Sequence, residues 1–201
     1  HEDGGLQTIP NWATGITPGA PNESSSGMSF IVVGVSGNLP FTNGAAVNAT
    51  TGDLTFRTFA NSVGTAVLRV RLVDSDGAES PSQEFQITAT PVNDPPGFFV
   101  GPNQVGSESS SPRTVAGWAT GMTSGPADES SQMRTFEVVT NTNPSLFSTP
   151  PAVSSAGTLS YTIGAGLNGS AIIGLRLRDN GGTANGGVDV SSVQNFIIDI
   201  I

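Results

Sequence analysis

The sequence predicts an all-β chain of two tandem Greek-key β-sandwich modules, and three observations carry that prediction. Apolar residues alternate strictly with polar ones over runs of about five to eight residues, and no helical period is sustained. Gly (26) and Pro (14) are plentiful among the 201 residues while aromatics are scarce, a profile of short strands joined by turns. The chain also repeats itself. Asn11-Trp12-Ala13-Thr14-Gly15 returns 106 positions later as Gly117-Trp118-Ala119-Thr120-Gly121.

Each element follows from that repeat. At the same offset Glu2 falls on Glu108, Gly19 on Gly125, Glu23 on Glu129, Phe30 on Phe136 and Phe41 on Phe147. The offset then drops to 105, so that Gly52-Asp53-Leu54-Thr55-Phe56 matches Gly157-Thr158-Leu159-Ser160-Tyr161, and Asp74 matches Asp179. A six-residue insertion within residues 181–187 carries Phe85 onto Phe196, and insertions of that kind fall in surface loops. Leu68, Val70 and Leu72 alternate with Arg69 and Arg71, and Ile173, Leu175 and Leu177 with Gly174 and Arg176. Aliphatic-in, arginine-out alternation marks a half-buried antiparallel strand. Phe85, Ile87 and Ala89 repeat as Phe196, Ile198 and Ile200. Six or seven such strands per copy, with turn residues between them, make a Greek-key sandwich. The modules are expected at residues 1–92 and 93–201.

The copies differ at their start. Gly97-Phe98-Phe99-Val100-Gly101-Pro102-Asn103-Gln104-Val105 reads as a first strand of the second module, and the first module has no equivalent of it. Either the sequence is cut from a longer array, the favoured expectation, or a neighbouring subunit supplies the strand. Between the copies Pro91-Val92-Asn93-Asp94-Pro95-Pro96 predicts a short, stiff, extended linker, because proline fixes φ and pushes its predecessor away from helix.

The charge balance excludes several functions. The formal net charge is −9 and all seven basic residues are Arg, so there is no basic patch to displace counterions from nucleic acid. No apolar run approaches the length of a membrane span. With no Cys, no Lys and His1 as the sole histidine, thiol, Ser-His-Asp and His-ligated zinc chemistry lack their parts, and no enzyme is expected. A Lys-Asn isopeptide staple is excluded for want of lysine.

Oxygen ligands, by contrast, are clustered. Asp74-Ser75-Asp76-Gly77 puts two carboxylates two residues apart in a turn, which suits calcium but equally suits a tight turn that needs Asp and Gly for backbone reasons. Asn22-Glu23 and Asp128-Glu129 occupy matching loops, and Glu2 and Glu108 fall early in each module. These are candidate ligands or plain solvated loop charges. Trp12 and Trp118 could be sugar-stacking platforms, but aliphatic neighbours at the same place in both copies favour core residues within a strand.

Val92-Asn93-Asp94-Pro95-Pro96-Gly97-Phe98, Gly125-Pro126-Ala127-Asp128-Glu129, Gly157-Thr158-Leu159-Ser160-Tyr161-Thr162 and the glycine-rich run from Asp179 to Gly187 together resemble the cadherin-like and immunoglobulin-like tandem repeats of large bacterial extracellular proteins. The resemblance covers essentially the whole chain. It implies arrays of sandwich modules in adhesins, biofilm matrix proteins and surface-layer or appendage components, hence a secreted or cell-surface location. It also implies Ca2+ at the module junction, with Asn93, Asp94, Asp74, Asp76, Asp128 and Glu129 as one ligand set and Glu2 reaching toward the following linker. The linker departs from the cadherin pattern at two ligand positions: Pro91 stands where the first Asp is expected, and the second Asn is missing. One ion, or none, is expected there rather than three. The reading that follows is a structural or adhesive spacer whose partners are neighbouring repeats or subunits of the same protein. Two alternatives are a filament or appendage subunit assembling by strand exchange, and a module binding a surface glycan or protein.

Overall fold

Leu68 and Val70 alternate with Arg69 because they lie on β5 (Gly64–Asp74), a strand with one face turned to a core and the other to water. The same reasoning places the other strands of the first half: β1 (Gln7–Ile9), β2 (Met28–Gly37), β3 (Phe41–Val47), β4 (Leu54–Thr58) and β6 (Gln83–Ala89). The computed structural model describes residues 1–20 and 27–201, and the chain divides into two compact units, His1–Val92 and Asn93–Ile201. Among the described residues it is nearly all β, with 49% in strands and 5% helical.

In unit 1, β2-β5-β6 form one antiparallel sheet and β1-β4-β3 the other. Phe30 pairs across strands with Leu72, and Val32 with Val70. The core falls into two clusters, one around Leu39, Leu68 and Ile87, the other around Val47, Leu54 and Val70.

Unit 2 contains β7 (Gly97–Phe99), β8 (Gln104–Gly106), β9 (Arg113–Val115), β10 (Thr120–Thr123), β11 (Arg134–Asn141), β12 (Phe147–Val153), β13 (Leu159–Ile163), β14 (Gly169–Asp179) and β15 (Gln194–Ile200). Its sheets run β11-β14-β15-β8 and β12-β13-β9, with β10-β7 as a small third pair. β9 and β11 to β15 take the places of β1 to β6, down to the register: Phe136 faces Leu177 as Phe30 faces Leu72. β7, β8 and β10 have no strand counterparts among the described residues of unit 1. The core of unit 2 is one continuous cluster from Phe98 and Trp118 to Ile200.

One glycine shows how literal the repeat is. Gly52 (φ +75°) and Gly157 (φ +79°) sit in the left-handed region, and a Cβ at either would collide with the carbonyl of Ala13 or Ala119. Each glycine carbonyl accepts the N–H of that same alanine at 2.9 Å. The tryptophans depart from expectation in one respect: neither lies in a strand. Trp118 follows a turn after β9 and precedes β10, and Trp12 occupies the matching position after β1. Packing, not strand pairing, holds them. Trp118 stacks on Phe196 with centroids 4.4 Å apart, and Trp12 on Phe85 at 4.6 Å.

Candidate functional site

The residues before the double proline are held within unit 2 by side chains far away in sequence. Pro95 and Pro96 supply no N–H, so this end of the unit must be fastened by other groups. Asn93 is fastened at four points. Its carbonyl accepts the N–H of Val188 (2.8 Å), and its Nδ2 donates to Val188 O (2.9 Å) and to Asp179 Oδ1 (3.0 Å). Its Oδ1 accepts from Gln132 Nε2 (2.7 Å). The backbone N–H of Asp94 donates to Glu129 Oε1 (2.8 Å). Glu129 ends a single 3-10 turn (Ala127–Glu129), and Asp179 ends β14, where its Oδ1 also caps the following turn through Gly181 N (2.9 Å). Gly181 is required here for space: a Cβ would run into Asn93 Oδ1.

This corner is buried and acidic. Glu129 is 6% exposed and Asp179 5%. In each, one carboxylate oxygen accepts hydrogen bonds, while the other, Glu129 Oε2 or Asp179 Oδ2, is buried without a hydrogen-bond partner. Gln132 Oε1 is in the same condition. Burial pushes the Glu129 carboxyl above its ordinary value, and the charges of Asp94, Asp128 and Asp179 push it further, against the pull of the Asp94 N–H bond. Asp128 itself is exposed.

Unit 1 uses its acidic residues differently. Glu2 is buried, and its Oε1 accepts the N–H of Val92 at 2.8 Å while its own N–H donates to Thr90 O at 2.9 Å. Its repeat partner Glu108 is exposed and accepts from Asn168 Nδ2 at 2.8 Å. Asp74 Oδ1 receives the N–H groups of Asp76 and Ala78, both at 2.9 Å, so this carboxylate closes its own turn. Asp76 is exposed at that turn.

Unit 2 therefore gathers Asn93, Asp94, Asp128 and Glu129 at one corner. It adds two residues that the sequence reading left out of the ligand set, Asp179 and Gln132. Asp179 could have been found from its equivalence with Asp74; nothing in the sequence marks Gln132. Asp74, Asp76 and Glu2 belong to unit 1, at the end of β5 and beside Val92. Asn22 and Glu23 lie outside the described residues. Among the described residues no three His, Asp or Glu side chains close around a single point as an ion cage. The donor chemistry of the corner nonetheless fits a hard cation. Its free atoms are oxygens, two of them buried carboxylate oxygens lacking hydrogen bonds, in a field of like charge.

The tryptophans offer little to a sugar. Trp118 is 3% exposed, with its Nε1 donating to Pro102 O at 2.9 Å, so it is a core residue and no stacking platform. Trp12 is half-buried and borders an open cleft.

No protein-family model matches the sequence, and no curated protein matches it. Solved structures do. Human protocadherin-24 EC1-2 aligns at a TM-score of 0.57 and 13% identity, over 87% of this chain and 82% of that one. Human CDH23 EC21-23 aligns at 0.47 and 17% identity, over 86% of this chain and 58% of that one. Mouse protocadherin-24 EC1-3 aligns at 0.47 and 12%, over 87% and 58%. At 13% identity and a TM-score of 0.57 the protocadherin-24 EC1-2 match speaks to fold: the chain has the tandem-repeat fold of cadherin ectodomains.

Proposed function

We propose that this chain is a structural or adhesive spacer segment of a repetitive extracellular or surface protein, working beside neighbouring repeats or subunits of the same protein, and that unit 2 binds Ca2+ at its Asn93 corner. The observation that carries the calcium reading is the pair of buried carboxylate oxygens, Glu129 Oε2 and Asp179 Oδ2, left without hydrogen bonds among like charges. Glu129 and Asp179 would offer their free oxygens to the ion, with Asp94, Asn93 Oδ1 and Asp128 next to hand. A bound calcium supplies positive charge that offsets the crowding of carboxylates. The protein's own part is to present those oxygens on fixed supports: the proline-braced backbone, the 3-10 turn and the end of β14. The spacer reading is supported by the fold and by two strand-built units in one chain.

Melting the whole chain in calcium and in chelator tests the ion. Calcium at a hundred times its dissociation constant is expected to stabilise unit 2 by about 2.7 kcal/mol. Identical melting in both conditions removes calcium from the account. The spacer role has a separate test in single-molecule stretching, which should record two unfolding events per chain. A chain that yields without a force peak is no mechanical spacer.

A further inference from the structure

The two units guard one side of their sheets differently. β2 stands at an end of the sheet β2-β5-β6, and its counterpart β11 stands at the same end of β11-β14-β15-β8. The strand that unit 2 adds, β8, lies at the opposite end of that sheet, beyond β15. An end strand offers a row of unpaired N–H and C=O groups to any chain that can align with it, and folded proteins blunt such strands with charge, proline or a bulge. Unit 2 uses two of these devices. β11 carries Arg134 and Glu137, and the next strand, β12, at the end of the other sheet, carries Pro150 and Pro151.

Unit 1 has neither device on this side. β2, ten residues long, and β3, seven, contain no charged residue and no proline. Residues 30–35 read Phe-Ile-Val-Val-Gly-Val, an uncharged run of strong strand formers of the kind that pairs with further strands. Ile31, Val33 and Val35 are 36%, 45% and 44% exposed, and no residue of β2 is fully buried. An open cleft of about 420 Å3, bordered by Val32, Leu39, Phe41, Ala45 and Leu68, lies between β2 and β3. The one guard is a bulge. Pairing with β5 runs unbroken from Met28 opposite Asp74 to Gly34 opposite Leu68, and slips only beyond Gly34. Residues 28–34 thus keep a regular strand whose other edge no described residue covers.

We propose that residues 28–34 form an interface between two copies of this chain, in which β2 pairs antiparallel with itself across a two-fold axis. Two features select a second copy as the occupant. The strand is complementary to itself: with the axis at Val32, Ile31 lies opposite Val33 of the other copy, and each such pair is aliphatic against aliphatic on the outward face. Charge selects the same face. With 16 acidic residues and a net charge of −9, copies of this chain repel one another in general, whereas β2 and β3 bring no carboxylate to the contact. Glu84 and Glu79 of unit 1 are already paired with Arg69 and Arg71 on β5. So short an edge buries less than the roughly 1,600 Å2 of a standard interface, so the association is weak and sensitive to concentration. The inference rests on the spacer reading for its partner, a subunit of the same protein, and on nothing at the acidic corner.

The test is sedimentation equilibrium of the whole chain in chelator. A monomer–dimer equilibrium is expected at concentrations on the order of 0.1 mM. Raising the concentration should slow amide exchange in residues 28–34 and leave residues 134–141 unchanged, since only the first set gains partners. Val33→Lys, at an exposed position, should melt like the parent and weaken the dimer by about tenfold or more. Val139→Lys, the same change at the matching exposed position of unit 2, should leave the dimer intact. The proposal is overturned by a chain still monomeric at about 1 mM. It is equally overturned by assemblies that grow past two, because an antiparallel self-pair closes at two. A dimer that Val33→Lys leaves unweakened, or that forms without slower exchange in residues 28–34, uses another face and also overturns it. A monomeric chain that still gives two unfolding events on stretching removes this interface and leaves the spacer standing, whereas loss of the force peaks removes the spacer alone.

Discussion

Two units built from matching strands have unequal interiors. Leu54 and its partner Leu159 are equally buried, at 1% and 0% exposure. Val70 keeps 7% where Leu175 keeps 0%, and Ile87 keeps 7% where Ile198 keeps 0%. The disparity runs through both sheets. Phe56 on β4 is half-buried where Tyr161 on β13 is buried, and on the β5–β6 side unit 2 carries residues 97–106 as an extra layer that has no match among the described residues of unit 1. Strand pattern decides which residues face inward. How dry they become depends on whether something closes the open edge of the sheet.

The largest effect should come from removing that layer's anchor. Phe98→Ala is expected to cost unit 2 about 3–5 kcal/mol, since it deletes a ring buried against Trp118 and Phe136. Each unit has its own tryptophan, so fluorescence in denaturant can follow them separately once one is replaced by Phe. Emission from Trp118 should shift toward that of the half-buried Trp12. If Phe98→Ala leaves both the midpoint and the emission of unit 2 unchanged, the extra segment does not explain the difference.

A gentler probe uses one residue type at matching positions. Leu177 is fully buried and Leu72 only partly so. Leu177→Ala should cost about 2–5 kcal/mol. Leu72→Ala should cost about 1–2 kcal/mol, because part of that side chain is in water already. The pair Leu54→Ala and Leu159→Ala serves as control, with nearly equal costs. Equal losses at Leu72 and Leu177 would show that the cleft in unit 1 is closed in solution.

The contrast also separates what is legible in a sequence from what is not. β5 and β14 announce themselves, because aliphatic–arginine alternation is a local pattern with a local cause. The repeat transfers each strand from one copy to the other, and the segment around Phe98 stands out as unmatched. The tryptophans misled, since an aromatic with aliphatic neighbours reads as strand whether pairing or packing secures it. The acidic corner was legible only in pieces. Asp128-Glu129 and Asn93-Asp94 stand out as carboxylate-rich turns. But Asp179 reads as a turn residue until Asn93, 86 positions away, is seen bonded to it. Gln132 carries no signal, because its role is to brace Asn93, which only the folded chain brings near. Burial of Glu129 rests on the same long-range closure.

Glu129 has no counterpart among the described residues of unit 1, so its removal should act on unit 2 alone. Its carboxyl titrates above the ordinary range, first because it is buried. The folded state then binds the proton more tightly than the unfolded one, and stability falls as pH rises from the ordinary carboxylate value through the raised one. In chelator at neutral pH, Glu129→Gln is expected to raise the melting temperature of unit 2 modestly. Its amide oxygen can still accept the Asp94 N–H while the repelling charge is gone. In calcium the order should reverse, with the parent gaining and the variant not. A variant that melts below the parent in chelator would mean the charge does not strain this corner.

The smallest effect tests the outer faces of the sheets. Glu137 on β11 accepts from Arg178 Nε and Arg176 Nε, both at 2.6 Å, and these bonds hold its carboxyl below the ordinary value. Arg178 also pairs with Asp189. The position matching Glu137 on β2 is Ile31, which is exposed, so unit 1 has no such shared carboxylate there. Two of its arginines form one-to-one pairs instead, Arg69 with Glu84 and Arg71 with Glu79. A depressed folded pKa means the stabilisation is present above the unfolded carboxylate value and is lost as pH falls through the folded one. Acid should therefore erode unit 2 through Glu137, and Glu137→Gln should lower its melting temperature slightly at neutral pH while flattening the acid limb. Salt should shrink the effect, since the arginine partners are partly exposed. An acid limb that Glu137→Gln leaves as steep as before would put the loss on other carboxylates.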